Sequence, residues 1–198
     1  AAHEDGKADY SSEVGTLASA GGDAVAVIGY LDQGGKGIIQ GSLDSGAFDT
    51  FILSDGMIGD SLTDTFGKSL NKSFGSLPGS TGKGAGIFAK VAGKAGIDPS
   101  GPYTGESYDA AALIVLAMQA GGSADRDSIA KNVMAVANGP GKKIYPGQLK
   151  KALDLLAKGK AVDYEGATGV VFTDVGEHVG NFLEKEVKGG KFKTKKQR

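Results

Sequence analysis

The apolar run Ala24-Val25-Ala26-Val27-Ile28-Gly29 is followed about 25 residues later by a second, Thr50-Phe51-Ile52-Leu53-Ser54. Short, unbroken apolar runs of this kind suit strands buried on both faces, as in a parallel sheet covered by helices. Between them, Gly34 to Leu43 has the length of a crossover helix, although its glycines make it intrinsically weak. Ahead of the first run, Asp9 stands as N-cap of a helix to about Ala20, with Val14, Leu17 and Ala18 on one face. Gly21-Gly22-Asp23 stops it, and a further helix is expected near Ile58 to Phe66. Helix, strand, helix, strand, helix at this spacing is α/β order.

The texture changes at Ser73 to Gly86, a glycine- and serine-rich stretch that reads as a crossing segment. Helices dominate beyond it. Ile87, Phe88 and Val91 mark one, and Glu106 to Gln119 is apolar nearly all round, hence buried. Asp125 caps a third, with Ile129, Val133 and Val136 inward, and Pro146 opens a fourth carrying Leu149, Ala152, Leu153 and Leu156. Gly169 to Phe172 and Asn181 to Val187 are expected as two strands flanking the turn at Asp174-Val175-Gly176. The chain opens on His3 through Gly6, which reads as the tail of a strand, so a segment upstream is expected to be missing.

Composition narrows the function classes. There is no cysteine, which excludes disulfides, thiol catalysis and zinc–thiolate sites. Lys188 to Arg198 carry six of the 22 positive charges and no negative one, leaving sixteen positive against 23 negative charges elsewhere, a formal −7. An acidic body with a short basic tail is a poor nucleic-acid binder, and the tail reads as a solvated, frayed terminus. The longest strongly apolar stretch, Ala110 to Ala120, is too short for a membrane span of about 20 residues.

Catalytic patterns are few. Gly35-Lys36-Gly37-Ile38-Ile39-Gln40-Gly41 is a GxGxxxG run with Asp55 about 20 residues on, roughly where a dinucleotide site places its ribose-binding acid. The third glycine is one residue late, and Tyr30 to Gly34 intervene between strand and loop. No Gly-Lys pair has the earlier glycine of a P-loop, and no GxSxG elbow occurs. His3 and His178 lack ligand-spaced partners and read as surface or turn residues. The strand ends remain: Gly29-Tyr30 closes the first strand and Ser54-Asp55-Gly56-Met57 the second. Ligands of open α/β sheets bind outside the carboxyl ends of the strands, where a phenol and a carboxylate suit a ligand ammonium. The alternative makes Asp55 an N-cap and Tyr30 an ordinary half-buried aromatic.

At these residues the chain resembles the branched-chain amino-acid binding proteins, the substrate-binding subunits of bacterial ABC importers with the type I periplasmic-binding-protein fold. The resemblance rests on Ala26-Val27-Ile28-Gly29-Tyr30, Phe51-Ile52-Leu53-Ser54-Asp55-Gly56, Gly101-Pro102-Tyr103 with Glu106-Ser107-Tyr108-Asp109-Ala110-Ala111, Lys143-Ile144-Tyr145-Pro146-Gly147, and Tyr164 through Gly169 with Phe172 through Gly176. It implies two α/β lobes, parallel sheets flanked by helices, closing over a ligand, with the family's N-terminal segment absent. Residues 1–76 would be part of the C-terminal lobe without its first strand and helix. Residues 77–175 would be the C-terminal portion of the N-terminal lobe, and 176–198 a return strand with the basic tail. The resemblance also implies ligand contacts at Tyr30, Asp55, Gly56, Met57 and Tyr108, with Asp55 meeting the α-ammonium and Met57 filling space beside the pocket. Its further implications are a small amino-acid ligand, a membrane permease as partner, a periplasmic location, and no catalysis, metal or cofactor. Two alternatives stand beside it: a dinucleotide-dependent oxidoreductase using Gly35 to Gly41, and a ligand-sensing domain of a receptor.

Overall fold

Three short strands, β1 (Val25–Val27), β2 (Phe51–Leu53) and β3 (Phe74–Pro78), lie side by side in parallel in the computed structural model, which describes residues 1–198. Crossover connections run between them. Helix α1 (Ser11–Ala20) leads into β1, α2 (Lys36–Ser45) joins β1 to β2, and α3 (Asp60–Phe66) lies between β2 and β3. Asp9 acts one residue earlier than a simple N-cap, its carboxylate accepting from the Ser11 amide at 3.2 Å. The glycine-rich stretch before α2 is wound as a single wide turn, Leu31–Gly35, before the regular helix begins.

The basic C-terminus is not a frayed tail. β6 (Phe182–Val187) pairs antiparallel with β3, and β7 (Phe192–Gln197) pairs antiparallel with β6, giving a sheet of order β1-β2-β3-β6-β7. Residues 1–78 and 182–198 thus form one compact unit. Its core joins Val14 of α1, Ile38 and Ile39 of α2 and Leu62 of α3 to Val25, Val27, Phe51, Leu53 and Leu77 of the strands. β1 and β2 are not buried on both sides, as their apolar runs led one to expect. Val25, Val27, Phe51 and Leu53 are buried, whereas Ala26 and Ile52 are exposed, because all three helices pack on one face.

Residues 79–181 form the second unit. It comprises α4 (Lys83–Lys94), α5 (Thr104–Gly121), α6 (Arg126–Ala137), β4 (Lys142–Ile144), α7 (Leu149–Leu156) and β5 (Val162–Tyr164), with β4 and β5 paired in parallel. Leu113, Leu116, Val136, Ile144, Ala152 and Val162 form its core. α5 is buried along one side only: Ile114 and Val115 face outward at 47% and 38% exposure. Pro146 belongs to the turn ahead of α7, which starts at Leu149. The expected hairpin near Asp174 reduces to one bridge between Phe172 and His178, because β6 takes β3 as its partner. No helix is long and apolar enough to cross a membrane.

Candidate functional site

Val27 lies opposite Leu53, so β1 and β2 leave the sheet together at their carboxyl ends. Ser54 staples the two exits. Its amide donates to the Val27 carbonyl at 3.1 Å, and its hydroxyl accepts from the Gly29 amide at 3.3 Å and donates to the Gly29 carbonyl at 3.2 Å. Directly after it the chain makes one tight turn, Asp55–Met57, closed by the Met57 amide on the Ser54 carbonyl at 3.0 Å.

This turn brings Tyr30, Asp55 and Gly56 together. A Cβ on Gly56 would stand 2.6 Å from the Gly29 carbonyl oxygen and 2.7 Å from the Tyr30 ring, so only glycine lets the ring lie across the turn. Tyr30 remains 60% exposed, and its hydroxyl has no partner within the chain. Asp55 is half-buried at the mouth of the turn. Its carboxylate accepts only the neighbouring Gly56 amide, at 2.9 Å, and no cationic side chain pairs with it. It does not cap the following helix α3, whose N-cap is Gly59 with no side-chain cap. An unpaired carboxylate and an exposed phenol, on adjacent strand ends, are equipped to accept hydrogen bonds from an ammonium.

Met57 is placed differently from the expectation. It is fully buried in the core, its sulfur packed against Gly35, and so it supports the strand-end turn from below instead of filling space beside a ligand. The reason is steric: the turn at Asp55–Met57 aims its third side chain inward at the glycine gap before α2. Tyr108 belongs to the second unit. Its hydroxyl accepts from the Gly147 amide at 2.8 Å and its ring packs 5.2 Å from Phe88, leaving it half-buried.

The same packing accounts for the glycine run. Cβ atoms on Gly34 and Gly37 would lie 2.3 and 2.7 Å from Tyr10, and one on Gly35 would lie 2.1 Å from the Met57 sulfur. The amides of Gln33 and Gly35 both bond the Tyr30 carbonyl. The glycines therefore seat the chain's own Tyr10 and Met57, and the Gln33, Gly35 and Lys36 amides are spent on the chain's own carbonyls instead of being offered to a pyrophosphate. No group of three or more His, Asp or Glu side chains gathers as a metal site requires.

Two contributors escaped the sequence reading. Ser54 acts as a staple across strands, and the His3 ring stands against Gly29, 3.2 Å from where its Cβ would be, edge-on to Tyr10 at 5.9 Å. Nothing local signals either role, since each depends on a partner from another element.

No family model matches the chain. Among curated proteins, a 73-residue stretch is 40% identical to the chemotactic signal transduction system substrate-binding protein BasB of Halobacterium salinarum, covering 37% of this chain and 18% of that protein. Among solved structures, the leucine-binding protein LivK of Thermotoga maritima superposes over 97% of the chain with TM-score 0.70 at 19% identity. A type 1 periplasmic binding protein of Bordetella pertussis superposes over 96% with TM-score 0.65 at 19% identity. A branched-chain amino-acid ABC transporter protein of Thermus thermophilus, solved with bound valine, superposes over 98% with TM-score 0.57 at 17% identity. The chain spans about half the length of each of these three structures. It has the type I periplasmic-binding fold, an α/β architecture, over that half.

Proposed function

We propose that this chain is part of an extracytoplasmic solute-binding protein that captures a small amino acid or related ammonium-bearing molecule and does no chemistry on it. The observation that carries the reading is the unpaired Asp55 carboxylate and the exposed Tyr30 ring, which lies against the adjoining Gly56, both at the carboxyl ends of adjacent parallel strands. Asp55 accepts hydrogen bonds from the ligand ammonium, Tyr30 covers its aliphatic part and offers its hydroxyl, and Gly56 keeps the ring in place. Residues 1–78 with 182–198 correspond to one lobe of such a protein, and residues 79–181 to part of the other. The partner that receives the loaded protein is the membrane permease of an ABC importer, a reading supported by the fold shared with the branched-chain amino-acid ABC transporter protein of Thermus thermophilus. The match to BasB favours a second reading of the hand-off, in which a signalling receptor takes the permease's place; capture is common to both.

A hydrogen bond to a charged group contributes roughly 1.5–3 kcal/mol, which is about tenfold or more in affinity. Asp55→Asn in the complete protein is therefore expected to weaken amino-acid binding by at least about tenfold in isothermal calorimetry. Gly56→Ala is expected to weaken it as well by displacing the Tyr30 ring. An Asp55→Asn variant with unchanged affinity removes Asp55 from the site.

A further inference from the structure

An asparagine followed two residues later by serine or threonine is the acceptor pattern for N-linked oligosaccharides, and among the chain's asparagines only Asn71, in Asn71-Lys72-Ser73, has it. In the fold these residues make the turn between the helical turn Gly67–Leu70 and β3. The Asn71 amide donates to the Lys68 carbonyl at 3.1 Å and the Ser73 amide to the Leu70 carbonyl at 2.7 Å, so the turn is closed on itself. Asn71 and Lys72 are exposed on it.

The Asn71 side chain is held by its oxygen alone. Oδ1 accepts the Gly190 amide at 3.0 Å, from the turn of the β6–β7 hairpin. The hairpin turn presses on the same loop: a Cβ on Gly190, whose φ is +75°, would stand 3.1 Å from the backbone of Gly67 and Lys68. Because an N–H can be met only by the oxygen of a carboxamide, this bond also fixes which way the planar group faces. Oδ1 points to the hairpin and Nδ2 away from it, with no hydrogen bond of its own within the chain. An open groove of about 410 Å³ lies beside it, past Phe74, Glu186 and Lys188. Two other asparagines use their amide nitrogens inside the fold: Asn132 donates to the Ser128 carbonyl at 2.8 Å and Asn138 to the Phe172 carbonyl at 2.7 Å. Asn71 therefore offers an exposed, uncommitted nitrogen, and a substituent on it leaves the anchoring oxygen untouched.

We propose that Asn71 is a glycosylation site, bearing an oligosaccharide on Nδ2. The donor class is an oligosaccharide joined through C1 to a lipid phosphate or pyrophosphate. The C1–O bond to the phosphate breaks, the lipid phosphate leaves with its electron pair, the C1–Nδ2 bond forms, and Nδ2 gives up one proton; nothing is oxidised or reduced. Ser73 sets the order of events. It is 1% exposed, and its hydroxyl accepts the Phe51 amide at 3.2 Å, so a transferase must read the hydroxyl before β3 joins the sheet. The inference rests on the extracytoplasmic reading above, since such donors are used outside the cytoplasm.

The test is mass spectrometry of the complete protein purified from its own organism, beside an Asn71→Asp variant made in the same cells. Aspartate keeps an oxygen for the Gly190 amide and removes the nitrogen, so the variant is expected to fold and to lose the whole added mass. A sugar mass confined to the peptide containing Asn71, and gone in Asn71→Asp, is the expected result. A bare Asn71 overturns the inference, as does an added mass that survives Asn71→Asp. Cell fractionation and calorimetry with amino acids on the same material separate the two readings. An exported protein that binds an amino acid but is bare at Asn71 overturns the glycan alone, whereas a bare cytoplasmic protein that binds none overturns both.

Discussion

Asp109 is a carboxylate only 3% exposed with no cation beside it. Hydrogen-bond donors from one loop replace the missing charge. The Tyr164 hydroxyl and the Ala167 amide each donate to it at 2.8 Å, and the Thr168 amide and hydroxyl do so at the same distance. The loop after β5 is thereby locked onto α5. Burial, with the Asp109 carboxylate behind it, holds the Tyr164 phenol protonated well above the usual tyrosine range. Asp109→Ala strands several buried donors at once and is expected to lower unfolding free energy in urea by about 3–5 kcal/mol. Tyr164→Phe removes a single bond and should cost about 1.5–3 kcal/mol. An Asp109→Ala variant within about 0.5 kcal/mol of the parent contradicts the locking role. The motif around Asp109 was visible in the sequence, but its chemistry was not, because all its partners lie more than 50 residues away. The positions of Tyr30 and Asp55 at strand ends were legible for the opposite reason: each stands just beyond a strand, and strand ends show in local pattern. Met57 was misread since its neighbour, Gly35, comes from a different element.

The β6–β7 hairpin carries most of the basic terminus, and its lysines suit an edge strand that must not recruit another chain. Glu184 lies between Arg198 at 2.8 Å and Lys195 at 3.1 Å. Hydrogen bonding from Arg198 first, then Lys195, holds its carboxyl below the usual range. A carboxyl depressed in the folded state lends stability that is complete above its unfolded value, about 4.3, and is lost as pH falls through the folded one. Amide protection in β7 is therefore expected to drop on acidification below about pH 4 before that of β1 and β2 does, and Glu184→Gln should flatten this dependence. Simultaneous loss across all five strands contradicts a separately titrating hairpin. As sequence, the tail offered charge and little apolar alternation, the signature of a solvated end. What orders it is pairing with β6, which itself needs β3.

For the molecule as a whole, the proposed site uses one side of an amino acid, its ammonium. The proposed site includes no group for the ligand's carboxylate. The 198-residue chain alone is then expected to show no thermal shift with any free amino acid, whereas the complete protein shifts upward with its ligand. A clear shift for the chain alone contradicts that division of the site. The α/β order, the positions of β1 and β2, the helices and the strand-end residues Tyr30 and Asp55 were determined by the sequence itself, through periodicities of two and 3.6 and through glycine stops that act within a few residues. Strand order, the return of β6 to β3, the bare face of the parallel strands and the use of the glycine run as a seat for Tyr10 and Met57 were decided only by the tertiary structure. Those choices depend on which distant surfaces meet, and a residue's burial or pairing energy exists only once its partner has arrived.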